Sequence, residues 1–178
     1  MEYVTLNNGV KMPKLGYGVY QVDPAECERC VLDAISVGYR SIDTAQAYCN
    51  EEGVGSAIKK SGVPRDELFV TTKVWISNGG YDKAAASINE SLKKLQSNYI
   101  DLMLIHQPFN DYYGTYRAME EAYKDGKIRA VGVSNFYPEN PYGKRDCSGD
   151  DWNRIWKRSG RIIDFLEEVV MIWRRKNN

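Results

Sequence analysis

Residues able to move a proton or hold a polarised oxygen recur at matching places along this chain. Asp43, Lys73, the lone His106 and the pair Ser134-Asn135 each follow directly after an apolar run, and Tyr48 stands five residues beyond Asp43. A phenol, with an unperturbed pKa of about 10, is a weak acid at neutral pH. A neighbouring Lys cation favours the phenolate and lowers that pKa, which makes Tyr48 a usable general acid and base for a carbonyl or alcohol oxygen. Asp43 and Lys73 carry opposite charges and form a natural ion pair, while His106 can orient the same oxygen through a hydrogen bond. The set suits proton delivery to a carbonyl that receives a hydride from a cofactor. Taken singly each residue says little, since Tyr48 is one of thirteen tyrosines and a strand-end Asp–Lys pair is as readily structural. The weight comes from compatible groups in corresponding places.

The elements that must carry these groups follow from the pattern around them. Tyr3–Met12 reads as a small hairpin, with Asn8-Gly9 supplying the positive φ of its turn. Strands are expected at 15–20, 39–42, 68–72, 100–105 and 128–133. Helices are expected between them: one opened by Asp23-Pro24 and stopped by Gly38, then 53–60, 84–95 (Ile88, Leu92 and Leu95 at helical spacing) and 116–123, ending at Asp125-Gly126. Strands alternating with helices imply βαβ crossovers and a parallel sheet. The continuous apolar run Leu102–Ile105 suggests cover on both faces. Polar groups at the ends of several successive strands favour a (β/α)8 barrel, whose strand ends converge on one opening. A doubly wound sheet would gather them at one switch point.

Composition narrows the function classes. Lys+Arg and Asp+Glu number 24 each in 178 residues, for a net charge of +0, so no long-range field draws phosphate backbones and a nucleic-acid partner is not expected. Hydrophobic residues at 43% suffice for one core. No run approaches the roughly 18–20 apolar residues of a membrane span, and Met1–Thr5 lacks the features of a secretory signal, so a soluble, cytoplasmic protein is expected. Cys27 and Cys30 form a lone C-x-x-C inside an expected helix, with neither a second pair nor histidines at ligand spacing, so no metal site is expected. The pairs Gly16/Gly18 and Gly53/Gly55 do not complete G-x-G-x-x-G, because Gln21 and Ile58 occupy the last position. Gly53 and Gly55 instead suit close helix approach.

Asp43-Thr44-Ala45-Gln46-Ala47-Tyr48, Thr71–Trp75, Leu104–Pro108 and Gly132–Phe136 resemble aldo-keto reductase signatures. Leu15–Gln21 resembles that family's first strand and Gly126–Ala130 the approach to its fifth. The resemblance covers roughly residues 3–138, with its motifs in family order, and is nearest the 2,5-diketo-gluconate reductase and prostaglandin F synthase group. It implies NADPH-dependent reduction of a small carbonyl substrate on a (β/α)8 barrel. By the same resemblance Tyr48 is the proton donor, Lys73 lowers its pKa, Asp43 holds Lys73 and His106 orients the carbonyl. Ser134 and Asn135 would bind the nicotinamide carboxamide. Gly18, Val19 and Tyr20 would line the cofactor and substrate cleft, and Trp75 the substrate wall.

The family's sixth to eighth strands find no counterpart here, and a full barrel takes about 250 residues. From Pro141 the composition changes: Trp152, Trp156 and Trp173 are three of four tryptophans, and the last 38 residues hold six arginines against five in the first 140. The expectation is a partial barrel of about five βα units over 1–140, with a divergent tail at 141–178. In the tail Ile162, Phe165, Leu166, Val169, Val170 and Trp173 could line one helix face. A change of reading frame or splice near Asn140 accounts for that break. An open barrel edge invites a homo-oligomer. The alternative to an active reductase is an inactive relative that binds without turnover.

Overall fold

The structure, a computed structural model, describes residues 1–136; the expected 141–178 tail, its helix and Cys147 lie outside the described residues. The chain opens with an antiparallel hairpin of β1 (Tyr3–Thr5) and β2 (Lys11–Pro13), its turn closed by Gly9 at φ +85°. A five-stranded sheet follows: β3 (Tyr17–Gly18), β4 (Ser41–Asp43), β5 (Phe69–Val74), β6 (Leu102–Ile105) and β7 (Val131–Val133). Helices α1 (Pro24–Ser36), α2 (Glu51–Lys60), α3 (Tyr81–Lys94) and α4 (Tyr112–Lys124) fill the crossovers. Each strand is parallel to the next, in sequence order with no reversal. That order is an arc of a wound barrel and has no switch point.

Sequence explains where the elements begin and end. Asp23 accepts the Ala25 amide proton at 2.8 Å and Pro24 takes the first helical position of α1. Gly38, at φ +101°, then turns the chain back toward the sheet. Every residue of β5 and β6 is buried, as the apolar run at 102–105 implies. Alternate side chains go to two cores. Val70, Val74, Met103 and Ile105 pack outward against helix residues such as Val31, Val54, Ile88 and Met119. Phe69, Leu102 and Leu104 face inward, where Leu6 and Met12 of the hairpin cover them.

Several boundaries differ from the sequence expectation. The first strand shrinks from 15–20 to Tyr17–Gly18: Leu15 is exposed ahead of it, and beyond it only the Val19 amide still bonds to β4. The fifth begins at Val131, Ile128 making only an isolated bridge to Ile100. α4 starts four residues early, at Tyr112, because the Asp111 carboxylate accepts the Gly114 amide proton at 2.8 Å and caps it there. Gly53 and Gly55 do allow close helix contact. A Cβ on Gly55 would lie 2.6 Å from the backbone of Leu95, and one on Gly53 2.8 Å from Cys27 Cβ. Cys27 is buried and Cys30 half-buried on α1, both as free thiols. Among the described residues no cluster of His, Cys, Asp and Glu is placed to hold a metal ion.

Candidate active site

The parallel ladder runs one residue past the strands and thereby fixes the groups at their carboxyl ends. Val19 N–H donates to Asp43 O at 3.0 Å, Thr44 N–H to Thr71 O at 2.9 Å, His106 N–H to Val74 O at 3.1 Å and Ser134 N–H to Ile105 O at 2.9 Å. Asp43 therefore closes β4, Lys73 is the penultimate residue of β5 rather than following it, and His106 and Ser134 come immediately after β6 and β7. All sit at one rim of the sheet.

Lys73 is the centre of the constellation. Its side chain is only 8% exposed, and its ammonium donates to Asp43 Oδ1 at 2.7 Å and to Thr44 O at 2.9 Å. The same nitrogen lies 5.1 Å from the ring centre of Tyr48. Tyr48 stands on a 3₁₀ turn, Gln46–Tyr48, ended by Cys49 in the left-handed region at φ +56°. Its ring meets Tyr20 at 5.1 Å between centroids and His106 at 5.9 Å, and His106 in turn meets the Trp75 ring at 4.9 Å. Phenol, ammonium, carboxylate, imidazole and indole are thus linked contact by contact at one rim.

The electrostatics differ from the sequence expectation at Tyr48. Burial pushes its pKa above the ordinary phenol value, outweighing the downward pull of Lys73, and the nearby Asp43 carboxylate adds to the rise. The ammonium is present as expected, but its ion pair with Asp43 spends part of its field. His106 moves the other way: burial first, then the Lys73 charge, hold its pKa down at about 4. At neutral pH the imidazole is uncharged, and its Nδ1 is buried with no hydrogen-bond partner among the described residues.

The remaining expected residues divide. Gly18 is half-buried with open space on its α-carbon face, since a Cβ there would meet nothing within 4 Å. Tyr20 is 51% exposed, its ring tilted against that of Tyr48. Val19 is a correction: its side chain is fully buried in the helix-side core. It offers only backbone, and both its N–H and its carbonyl are already bonded, the latter to Asn50 Nδ2 at 2.9 Å. Strand alternation places Val19 on that outward face. Asn135, left-handed at φ +62°, donates from Nδ2 to His106 O at 2.8 Å and to Ser134 Oγ at 3.1 Å. The Ser134 hydroxyl hydrogen and Asn135 Oδ1 are then left without a partner among the described residues, a donor beside an acceptor.

Sequence reasoning missed the amides that frame Tyr48. Gln46 reaches α3 and the Trp75 segment. Asn50, 1% exposed, accepts from Thr44 Oγ1 at 2.8 Å and donates to the carbonyls of Val19 and Val22. Buried Glu51 accepts from Thr72 Oγ1 at 2.7 Å. The only sequence signal was a polar residue at a position the topology buries.

A rim of proton-handling groups on successive parallel strands defines a class, and the comparisons agree with it. Residues 7–141 match the Aldo/keto reductase family, and the chain belongs to that family. Glyoxal reductase of Bacillus subtilis (strain 168) is 56% identical over 135 residues, covering 75% of this chain and 49% of that protein. A solved aldo/keto reductase from Brucella melitensis superposes with a TM-score of 0.78 at 41% identity, over 89% of this chain and 58% of that one. The Bombyx mori aldo-keto reductase, solved in complex with NADP, does so with a TM-score of 0.70 at 38% identity, over 74% and 50%. The five parallel strands and their helices are thus an α/β arc of the family's TIM-type barrel. The chain spans about half the length of the curated relatives it matches.

Proposed function

We propose that the chain is the catalytic portion of an NADPH-dependent reductase converting small aldehydes and ketones to alcohols, with Tyr48 as the proton donor. The observation that carries this reading is the buried Lys73 ammonium, held by Asp43 at 2.7 Å and lying 5.1 Å from the Tyr48 ring. A dinucleotide held by Ser134, Asn135 and the open face of Gly18 would supply hydride to the carbonyl carbon. Tyr48 gives its phenolic proton to the oxygen as negative charge builds there, and bulk water restores it. A raised phenol pKa does not prevent this, because an alkoxide is a far stronger base than a phenolate and takes its proton. Lys73 stabilises the phenolate left behind, and Asp43 keeps Lys73 in place. Neutral His106 can hydrogen-bond the carbonyl oxygen without competing as an acid.

The residues fit the dinucleotide at two points. Ser134 O–H and Asn135 Oδ1 form the donor–acceptor pair that a carboxamide needs, and the open face of Gly18 admits a flat ring. Tyr20 and Trp75 supply an aromatic wall suited to small carbonyls, in keeping with the relative named as a glyoxal reductase. The preference for NADPH over NADH rests on kinship.

Absorbance of NADPH with glyoxal and a panel of small aldehydes tests the reading on purified full chain. Turnover cut at least about a hundredfold by Tyr48→Phe supports it; oxidation that persists at the wild-type rate in Tyr48→Phe overturns it. NADPH binding without turnover would instead identify the chain as a non-catalytic binding member of the family. The same reading treats 1–140 as the barrel unit and 141–178 as a separate tail, in a cytoplasmic protein. Two copies are expected to meet across the sheet edge, β3 and β7 being its outer strands among the described residues. A compact monomer by sedimentation would defeat that last point.

A further inference from the structure

The Gln46 side chain uses its whole hydrogen-bonding capacity across three elements. An amide has two N–H donors and two acceptor lone pairs. Nε2 donates to Ser87 O at 3.3 Å and to Ser91 Oγ at 3.1 Å, both on α3. Oε1 accepts from the Trp75 backbone N–H and from Asn78 Nδ2, each at 2.9 Å. Gln46 opens the single 3₁₀ turn whose last residue is Tyr48. One side chain therefore ties the turn carrying the phenol to the segment carrying the indole, and anchors both on α3. His106 stands between the two rings, 5.9 Å from Tyr48 and 4.9 Å from Trp75.

We infer that Gln46 is a positioning residue: its amide sets the separation between the proton donor Tyr48 and the Trp75 wall, and so the width of the slot in which a carbonyl meets His106. The inference rests on the reading of Tyr48 as the acid. No other side chain of similar length makes all four bonds. Met fills the space and makes none, Glu accepts but cannot donate when ionised, and Asn is one methylene short. The far side of the turn is already held by Asn50, through Val19 O and Val22 O, so loss of the Gln46 bonds frees the Trp75 side selectively. A misplacement of about 1 Å in a site of this kind costs up to about a hundredfold in rate.

The test compares wild type, Gln46→Met and Gln46→Glu as full chains, by amide hydrogen exchange and by steady-state kinetics with NADPH and glyoxal. Exchange reads the clamp without reference to activity. In Gln46→Met the Trp75 amide should exchange at least about tenfold faster, while the Met103 amide, bonded to Ala130 O in the core at 2.9 Å, keeps its wild-type rate. Gln46→Glu, which retains the accepting oxygen, should keep Trp75 protected. Unchanged Trp75 exchange in Gln46→Met overturns the inference, as does equal loss at Met103, which would mark a general role in folding. In the kinetics, kcat should fall about tenfold and KM for glyoxal rise, with NADPH affinity unchanged; a kcat within twofold of wild type overturns positioning. Absence of any Tyr48-dependent turnover in wild type strikes the proposed function instead, and the exchange comparison still decides whether the clamp exists.

Discussion

Replacing Lys73 by Met removes a charge while keeping most of the side chain's volume. At an effective dielectric constant of about 20, two unit charges about 5 Å apart, the scale set by the 5.1 Å from Lys73 Nζ to the Tyr48 ring centre, interact by about 3 kcal/mol. That equals about two pKa units, added to a phenol that burial has already raised. If half to all of that charge has developed at the transition state, reduction slows by about tenfold to a hundredfold. Folding should survive. The Asp43 side chain is 42% exposed and returns to water, and the unmade bond to the Thr44 carbonyl costs about 1–2 kcal/mol. The assay is a double-variant cycle on kcat with NADPH and glyoxal, using Lys73→Met, Tyr48→Phe and the pair. Since Lys73 acts through Tyr48, the pair should be no slower than Tyr48→Phe alone. A loss below about threefold in Lys73→Met, or a pair far slower than either single variant, would refute the coupling.

Three further outcomes follow from groups outside that pair. His106 is the chain's only histidine, so one imidazole resonance reports it; its midpoint should lie at about 4 and rise in Lys73→Met, and a midpoint at the ordinary value of about 6.5 would contradict its burial. Glu51 is held above the ordinary carboxylate range by burial, so its contribution is full below the unfolded value of about 4.3 and is lost as pH rises through the folded pKa. Glu51→Gln should therefore flatten the fall in urea midpoint above that range, and an unchanged slope would count against it. Asp101, fully buried, accepts from Arg65 at 2.8 Å, Arg129 at 2.6 Å and the Val70 amide at 3.0 Å. Asp101→Asn should cost about 2–4 kcal/mol by chemical denaturation, because it leaves two arginines facing a neutral partner.

Much of the architecture was legible because it is written locally. Asp23-Pro24 and Gly38 carry cap and stop chemistry in adjacent residues, and the strand-end polar groups stand out against apolar runs of three to six residues. The early start of α4 was hidden because Asp111 acts through a side-chain bond to Gly114, ahead of an aromatic pair that signals no helix. Val19 was misplaced for a different reason. The motif names the position, but the direction of its side chain depends on the face that alternation assigns. The Gln46 contacts and the two bonds from Asn50 to backbone carbonyls span 28 to 45 residues, and no local pattern marks which distant partner an amide will find. The sign of the Tyr48 shift was likewise out of reach, because it turns on how deeply the ring is buried.

The hairpin bears on the order in which the molecule is built. Its apolar residues Leu6 and Met12 rest on Phe69, Leu102, Leu104 and Ala130, and Asn8 Nδ2 donates to Arg129 O at 2.8 Å. The hairpin therefore leaves the ribosome ahead of a seat finished about 120 residues later, at synthesis rates of about 5–20 residues per second. Until then it is a stopper without a bottle. Docking of the hairpin is thus a late event in maturation, and a nascent chain halted before residue 129 should leave Tyr3–Pro13 open to protease.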